Sequence, residues 1–303
     1  MNHFIHRVGA HTNFDVPIEH ATQVPYRDRL AVLLCDAGST INTPSGFAGL
    51  WWPTRGRAMA LTLDLRIAFD RRSIFVADSQ RGHSIAIQPS SRAVAIIASQ
   101  ALWSNALSLL DTISAAEPAL FPALHKANPT ACRQLLRFLR LATENAAEKL
   151  GPPQIVHLAT VIDDLQRPFE QLIAHCPGTN LSRKKAVFLR LQRIRNYLSH
   201  CTQAELDIGT LALTINYSVS RFIRVYCSVF GETPYSYISR CRVDRARKLL
   251  EASEQCVGDI ALAVGFENRA TLTRAIKRHY GVSATQLRRD RNLVAAQHTA
   301  MAI

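Results

Sequence analysis

Residues 257–281 read VGDIALAVGFENRATLTRAIKRHYG, and residues 208–231 read IGTLALTINYSVSRFIRVYCSVFG. Laid over each other at an offset of 49, Ile208 meets Val257, Gly209 meets Gly258 and Thr210 meets Asp259. Leu211 meets Ile260, Ala212 meets Ala261, Leu213 meets Leu262, Ile215 meets Val264, Asn216 meets Gly265 and Tyr217 meets Phe266. The offset then becomes 50, as one extra residue in the second turn requires. Phe222 meets Leu272, Arg224 meets Arg274, Tyr226 meets Ile276, Phe230 meets Tyr280 and Gly231 meets Gly281. Apolar positions match apolar positions almost throughout, so one small unit occurs twice.

Each copy reads as helix, tight turn, helix. Asn216 and Gly265 occupy the turn, and both tolerate the left-handed backbone that a sharp interhelical turn needs. Thr210 and Asp259 suit the N-cap of each first helix, and Ser218 and Asn268 suit the N-cap of each second. Gly231 and Gly281 end the second helices. This is the helix-turn-helix arrangement, whose second helix can enter a major groove and present its N-terminal side chains to base edges. Leu272, Ile276 and Tyr280 recur every four residues and face the core. The opposite face of that helix then carries Arg269, Ala270, Thr273, Arg274 and Lys277. In the first copy the equivalent positions are Val219, Ser220, Ile223, Arg224 and Cys227. Arginine can bond guanine bidentately, and Val, Ile and Thr can meet a thymine methyl. The first copy is the poorer in polar reading groups.

Charge points the same way. The chain has 303 residues and a formal net charge of +13. Residues 1–180 hold 16 Lys/Arg against 14 Asp/Glu, and residues 181–303 hold 20 against 9. A basic excess confined to one part of a chain suits nucleic acid or an anionic surface. No run of about 18 apolar residues suggests a membrane span, and the N-terminus lacks the apolar segment of a secretory signal. The seven cysteines (35, 132, 176, 201, 227, 241, 256) are scattered and never spaced as CxxC. That argues against a disulfide framework and a zinc module, and for a reduced, cytoplasmic protein.

Upstream, residues 20–100 read as β-rich. RLAVLLCD, AMALTLDLRIAF, SIFVAD and HSIAIQ are short apolar or alternating runs separated by turn clusters. Their rhythm suits a sandwich or barrel. From about residue 98 apolar residues fall at three- and four-residue steps, predicting helices within 98–113, 130–150 and 153–175. CPGTNLS, residues 176–182, reads as a linker, and a domain boundary is expected near residue 180. RKKAVFLRLQRIRNYLSH reads as a basic helix. Pro234 suits a first helical turn, and Ile238, Val243, Ala246, Leu249 and Leu250 form the stripe of a helix between the two copies.

Residues 190–289 resemble the DNA-binding domain of the AraC/XylS family of bacterial transcription regulators. The resemblance is carried by Leu211, Ala212, Ser218, Phe222, Arg224, Tyr226, Gly231, Pro234 and Tyr237, then by Arg242, Ala246, Leu249, Leu250, Ile260, Ala261, Val264, Gly265, Phe266, Leu272, Arg274, Ile276, Tyr280 and Gly281. Asn216 departs from the usual turn glycine, and Ala284 stands where proline commonly follows the final Gly-x-Ser. The resemblance implies two helix-turn-helix units on a long linker helix, reading successive major grooves about 34 Å apart. It also implies a cupin-like or jelly-roll regulatory domain and dimerising helices ahead of them.

The expected fold is therefore α+β. Residues 1–180 form a regulatory and dimerisation domain, β-rich over 20–100 and helical over 101–175. Residues 181–291 form the all-α double helix-turn-helix domain, and residues 292–303 a tail. The expected partner is double-stranded DNA. RNA polymerase, a small-molecule effector and a second copy of the chain are further candidates, and no cofactor or membrane is expected. His3, His6, His11, His20 and His83 lie scattered without HxH spacing, so no metal site is expected. Trp51 and Trp52 point to opposite faces of a strand, so at most one can line an effector pocket. Arg55, Arg57, Arg71 and Arg72 suit either an acidic effector or a solvated face. Two alternatives stay open: a barrel enzyme or alkyl-transfer protein with a reactive Cys176, and a non-specific DNA-packing protein.

Overall fold

A computed structural model describes residues 2–16, 29–62, 66–110, 120–144, 150–200 and 207–289. The tail expected from residue 292, with His20 and Cys201, lies outside the described residues. The chain divides into two compact units, residues 1–193 and residues 194–303.

In the first unit, strands β3 (Arg29–Cys35) to β10 (Arg92–Ser99) form one long hairpin folded over on itself. The nested antiparallel pairs are β6 (Arg57–Leu61) with β7 (Arg66–Asp70), β5 (Phe47–Arg55) with β8 (Ser73–Ala77), β4 (Thr40–Thr43) with β9 (His83–Ile87), and β3 with β10. Adding β1 (Asn2–Val8), β2 (Asn13–Asp15) and β11 (Ala123–Lys126), the sheets run β1-β3-β10-β5-β8-β11 and β2-β4-β9-β6-β7. Nested pairing split between two sheets is the jelly-roll arrangement. The β-rich region is longer than the sequence suggests: β1 and β2 pair in parallel with β3 and β4 across a long connection, and leave no local hairpin signal.

Burial explains the strand patterns. The larger sheet is covered on both faces. Leu33, Trp51, Phe75, Ala95 and Ile97 point into the roll, while Val32, Leu50, Trp52, Ile74, Val94 and Ile96 point to the helices outside. Its central strands β3, β5, β8 and β10 therefore read as largely apolar runs. The smaller sheet is covered on one face, and RIAFD and HSIAI alternate accordingly. Trp51 and Trp52 do face opposite ways, and both are buried.

Helices α1 (Gln100–Ser108), α2 (Pro129–Glu144) and α3 (Pro152–Gln166) pack on the outer face. Trp103 of α1 anchors them, its indole N–H donating to the Ala48 carbonyl at 3.0 Å. The helix expected over 153–175 is two helices, because Pro168 opens α4 (Pro168–Ala174) at its first position, where its missing N–H has no intrahelical partner. Helix α5 (Leu181–His200) follows, and the division between the units falls inside it.

The second unit holds α6 (Ile208–Thr214), α7 (Val219–Phe230), α8 (Pro234–Ala252), α9 (Val257–Ala263) and α10 (Arg269–Tyr280). The caps of α6 and α9 correct the sequence reading. They are Asp207, whose carboxylate accepts from the Gly209 amide at 2.8 Å, and Cys256, whose sulfur accepts from the Asp259 amide at 3.3 Å. Thr210 and Asp259 lie three residues inside instead, and the Thr210 hydroxyl donates back to Asp207. A thiol is a weak acceptor, so the second cap carries no clear sequence signal. Ser218 and Asn268 cap α7 and α10 as expected, and Gly231 and Gly281 end them at φ 71° and 74°.

The turns repeat bond for bond. Tyr217 N–H reaches the Ala212 carbonyl at 2.9 Å, and Phe266 N–H reaches that of Ala261 at 2.8 Å. Asn216 holds φ 57° and Gly265 φ 92°. Asn216 is exposed and Gly265 is buried. The side chain of Asn216 thus extends into solvent, whereas position 265 is closed in. The extra residue of the second turn is Glu267, which is exposed.

Two predictions follow from this packing. Gly265→Ala should destabilise the second unit by at least about 1–2 kcal/mol, the cost of a left-handed L-residue, and by more than Asn216→Ala; urea unfolding of the two variants checks the order. His83 and His125 are both pushed down to about 4, chiefly by burial. A histidine whose folded value lies below its unfolded one stabilises fully above pH 6.5 and loses that stability as pH falls toward 4. The loss should be on the order of 3 kcal/mol for each by pH 4. Thermal midpoints measured from pH 7 to pH 4 should fall, and His83→Phe should flatten part of the slope.

Candidate nucleic-acid interface

The buried stripes of α7 and α10 orient both helices. Phe222, Tyr226 and Val229 are buried on α7, and Leu272 and Ile276 on α10. Tyr280 is half-buried and donates its hydroxyl to Asp244 at 2.6 Å. The opposite faces carry the residues singled out from sequence. On α7, Val219, Ser220 and Arg224 are exposed and Ile223 is half-buried. On α10, Arg269, Ala270, Arg274 and Lys277 are exposed, and half-buried Thr273 donates its hydroxyl to the Arg269 carbonyl at 2.9 Å. Among the described residues, the side chains of Arg224, Arg269, Arg274 and Lys277 form no ion pair or hydrogen bond. Each of these is therefore a solvated, cation-bearing helix face with its first turn open.

Several other cations of this unit have partners within it. The Arg195 guanidinium lies 4.3 Å from the Phe230 ring centre and 4.0 Å from that of Tyr237, and donates to Glu232 at 3.1 Å. Glu232 also accepts from Arg240 at 2.7 Å. Arg245 donates to the His200 carbonyl, and Arg247 pairs with Glu251 at 2.6 Å. The sequence shows a basic stretch and gives no sign of this division, because partners such as Glu232 are up to 37 residues away. Arg221, also unread from sequence, lies 4.5 Å from the Tyr217 ring centre at the open turn of the first helix-turn-helix.

In the first unit, Asp15, Asn42, Thr43, Leu61, Gly82 and His83 are among the residues lining a cavity of about 740 Å³ at the mouth of the roll. His83 is 5% exposed, and among the described residues no group meets either ring nitrogen in full hydrogen-bond geometry, although the Arg81 backbone interacts with the ring. Burial keeps the ring neutral, Asp78 and the Arg81 backbone opposing only weakly. The Thr43 hydroxyl and the Trp51 indole N–H, whose ring lies edge-on to His83 at 6.0 Å, are buried and have no hydrogen-bond partner among the described residues. Arg55, Arg57, Arg71 and Arg72 are exposed and do not line this cavity. Among the described residues, no three His, Cys, Asp or Glu side chains come together as metal ligands. Cys176 is buried and its thiol is pushed up to about 12, chiefly by burial. That is the opposite of the depressed value a nucleophilic thiolate needs. No helix among the described residues is long and apolar enough to cross a membrane.

A family model described as a helix-turn-helix domain matches residues 211–290. The chain is 28% identical over 103 residues to the probable transcriptional regulator LumQ of Photobacterium leiognathi, covering 34% of this chain and 42% of that protein. It is 31% identical over 85 residues to the probable transcription factor PqrA of Proteus vulgaris, covering 28% of this chain and 70% of that protein. Among solved structures, the DNA-binding domain of AdpA in complex with a target DNA is 28% identical. That alignment covers 36% of this chain and 97% of that one, at a TM-score of 0.33. The chain thus spans less than half the length of LumQ and most of the length of PqrA. The repeated unit, its two open helix faces and these relatives lead to one assignment: the chain belongs to the AraC family of helix-turn-helix transcription regulators.

Proposed function

We propose that this protein is a sequence-specific DNA-binding transcription regulator. Helices α7 and α10 enter successive major grooves of one site, and the jelly-roll domain controls them. One observation carries the reading: two copies of one unit each turn an open helix face away from the core, with Arg224 and Arg274 at matched positions and without internal partners. Arg224, Arg269, Arg274 and Lys277 supply base or phosphate contacts. Val219, Ser220, Ile223, Ala270 and Thr273 offer methyl and hydroxyl groups to base edges. A regulator of this kind works in the cytoplasm, on double-stranded DNA, alongside RNA polymerase, and without catalysis.

Control by a small molecule is supported by the unpartnered polar groups at the mouth of the roll. Buried polar groups normally have partners, and neutral His83 with the Thr43 hydroxyl, both lining that cavity, suits a neutral, hydroxyl- or carbonyl-bearing effector. Dimerisation through the outer helices belongs to the same reading. Leu136 on α2 is half exposed, whereas most of α3 is buried within the unit, so α2 is the available surface.

Arg224→Ala and Arg274→Ala should each reduce discrimination within one block of the target by about 1–3 kcal/mol, leaving the other block unchanged. Competition binding against single-block variants of the duplex measures this. Equal losses on every sequence would make both residues phosphate contacts. Strong binding that no sequence change weakens would favour a DNA-packing protein instead.

A further inference from the structure

The second helix-turn-helix has a feature the first lacks. Gly265 is buried at the end of α9, and its carbonyl, which no intrahelical amide can reach there, needs a donor. That donor comes from α8: Arg242 Nη1 donates to the Gly265 carbonyl at 2.7 Å. Helix α8 also holds the far end of α10, where Tyr280 donates to Asp244 at 2.6 Å and the Arg247 guanidinium lies 5.2 Å from the Tyr280 ring centre. So α10 is fixed from one helix at both ends, at the turn before it and at its last residue. In the first helix-turn-helix the turn residue is exposed, and among the described residues no side chain bonds the Asn216 carbonyl.

We propose that Arg242 is a positioning residue for sequence readout. It sets the angle at which α10 leaves α9, and so the approach of Arg269, Thr273 and Arg274 to base edges, without touching DNA itself. The proposal rests on the DNA-reading function above and deepens it. The lever is short but sufficient. Arg274 lies five residues into α10, about 7.5 Å along the helix at 1.5 Å per residue. A swing of about 10° at the turn therefore moves it by about 1.3 Å, which exceeds the whole range of about 0.5 Å over which an N–H···O bond forms. Bidentate guanine recognition tolerates such a shift poorly, whereas a phosphate contact from a long, flexible cation absorbs it. Readout should then be lost before affinity. The first unit, with its open turn and apolar face, has no corresponding dependence.

The test uses the full chain and three variants: Arg242→Gln, Arg242→Lys and Arg274→Ala. Each is assayed by competition binding against duplexes altered in one block of the site or the other, at several salt concentrations. Far-UV circular dichroism and hydrogen exchange of the Phe266 amide are measured on the same samples. Arg242→Gln should lose about tenfold in discrimination within the block that Arg274→Ala affects. It should leave the other block and the salt dependence unchanged and retain its helix content. Arg242→Lys, which can still donate to the carbonyl, should restore most of the loss. The proposal is overturned if Arg242→Gln loosens the Phe266 amide but leaves discrimination intact. It is overturned equally if both blocks weaken together or if the salt slope falls, since Arg242 would then be a general structural residue or a phosphate contact. If the unaltered protein shows no sequence preference, the DNA-reading function itself fails and this proposal falls with it.

Discussion

A seven-residue helix and a twelve-residue helix cannot bury an apolar face by themselves, and everything in the second unit follows from the helix that solves this problem for both pairs. Toward its start, α8 offers Tyr237 to the Tyr226 ring of α7 at 6.5 Å, with Arg240 on Glu232. Toward its end, Val243, Ala246 and Leu250 close a core with Ile260, Ala261, Val264, Phe266, Leu272 and Ile276. Because these stripes point inward, the residues between them on α7 and α10 have to point outward. The faces proposed to read DNA are the remainder left by core packing.

The same constraint sorts the positive charge. Three arginines close to α8 have partners within the unit: Arg195 between Phe230 and Tyr237, Arg240 on Glu232, and the exposed Arg247 on Glu251. Half-buried arginines of this kind stack on rings and serve carbonyls, which lysine does less well. The cations left on α7 and α10 stand in solvent, where a phosphate or a guanine can replace water at little cost. Net charge therefore overstates the surface available to DNA, and the distribution of partners gives the better measure of it.

The second unit was legible because its signals are local. The repeat, the caps Ser218 and Asn268, the terminal glycines 231 and 281, and Pro234 at the head of α8 each declare themselves within a few residues. Asp207 and Cys256 did not, since attention falls on Thr210 and Asp259, one turn further in, and a cysteine gives no cap signal. Asn216 stands out as a departure in the sequence, and the structure gives its reason: that turn faces solvent. The first unit was less legible. The jelly roll pairs β3 with β10 and β1 with β3 over long separations. The strands of the larger sheet, covered on both faces, lose the alternation that marks a strand. The unpartnered groups of His83, Thr43 and Trp51 come from three strands, and no spacing in the sequence announces them. Arg242 could be placed on the linker helix but its partner could not, because a carbonyl 23 residues away has no side chain to read.

The central claim is that both repeated units read DNA. Selection from random duplexes with the purified full-length protein, at about 0.15 M salt, where exposed long-range attraction is largely screened, tests it most directly. Two reading helices should enrich a site of two blocks whose centres lie about 10–10.5 base pairs apart, one helical turn. A single enriched block would contradict it, leaving α7 to grip the backbone while α10 alone reads.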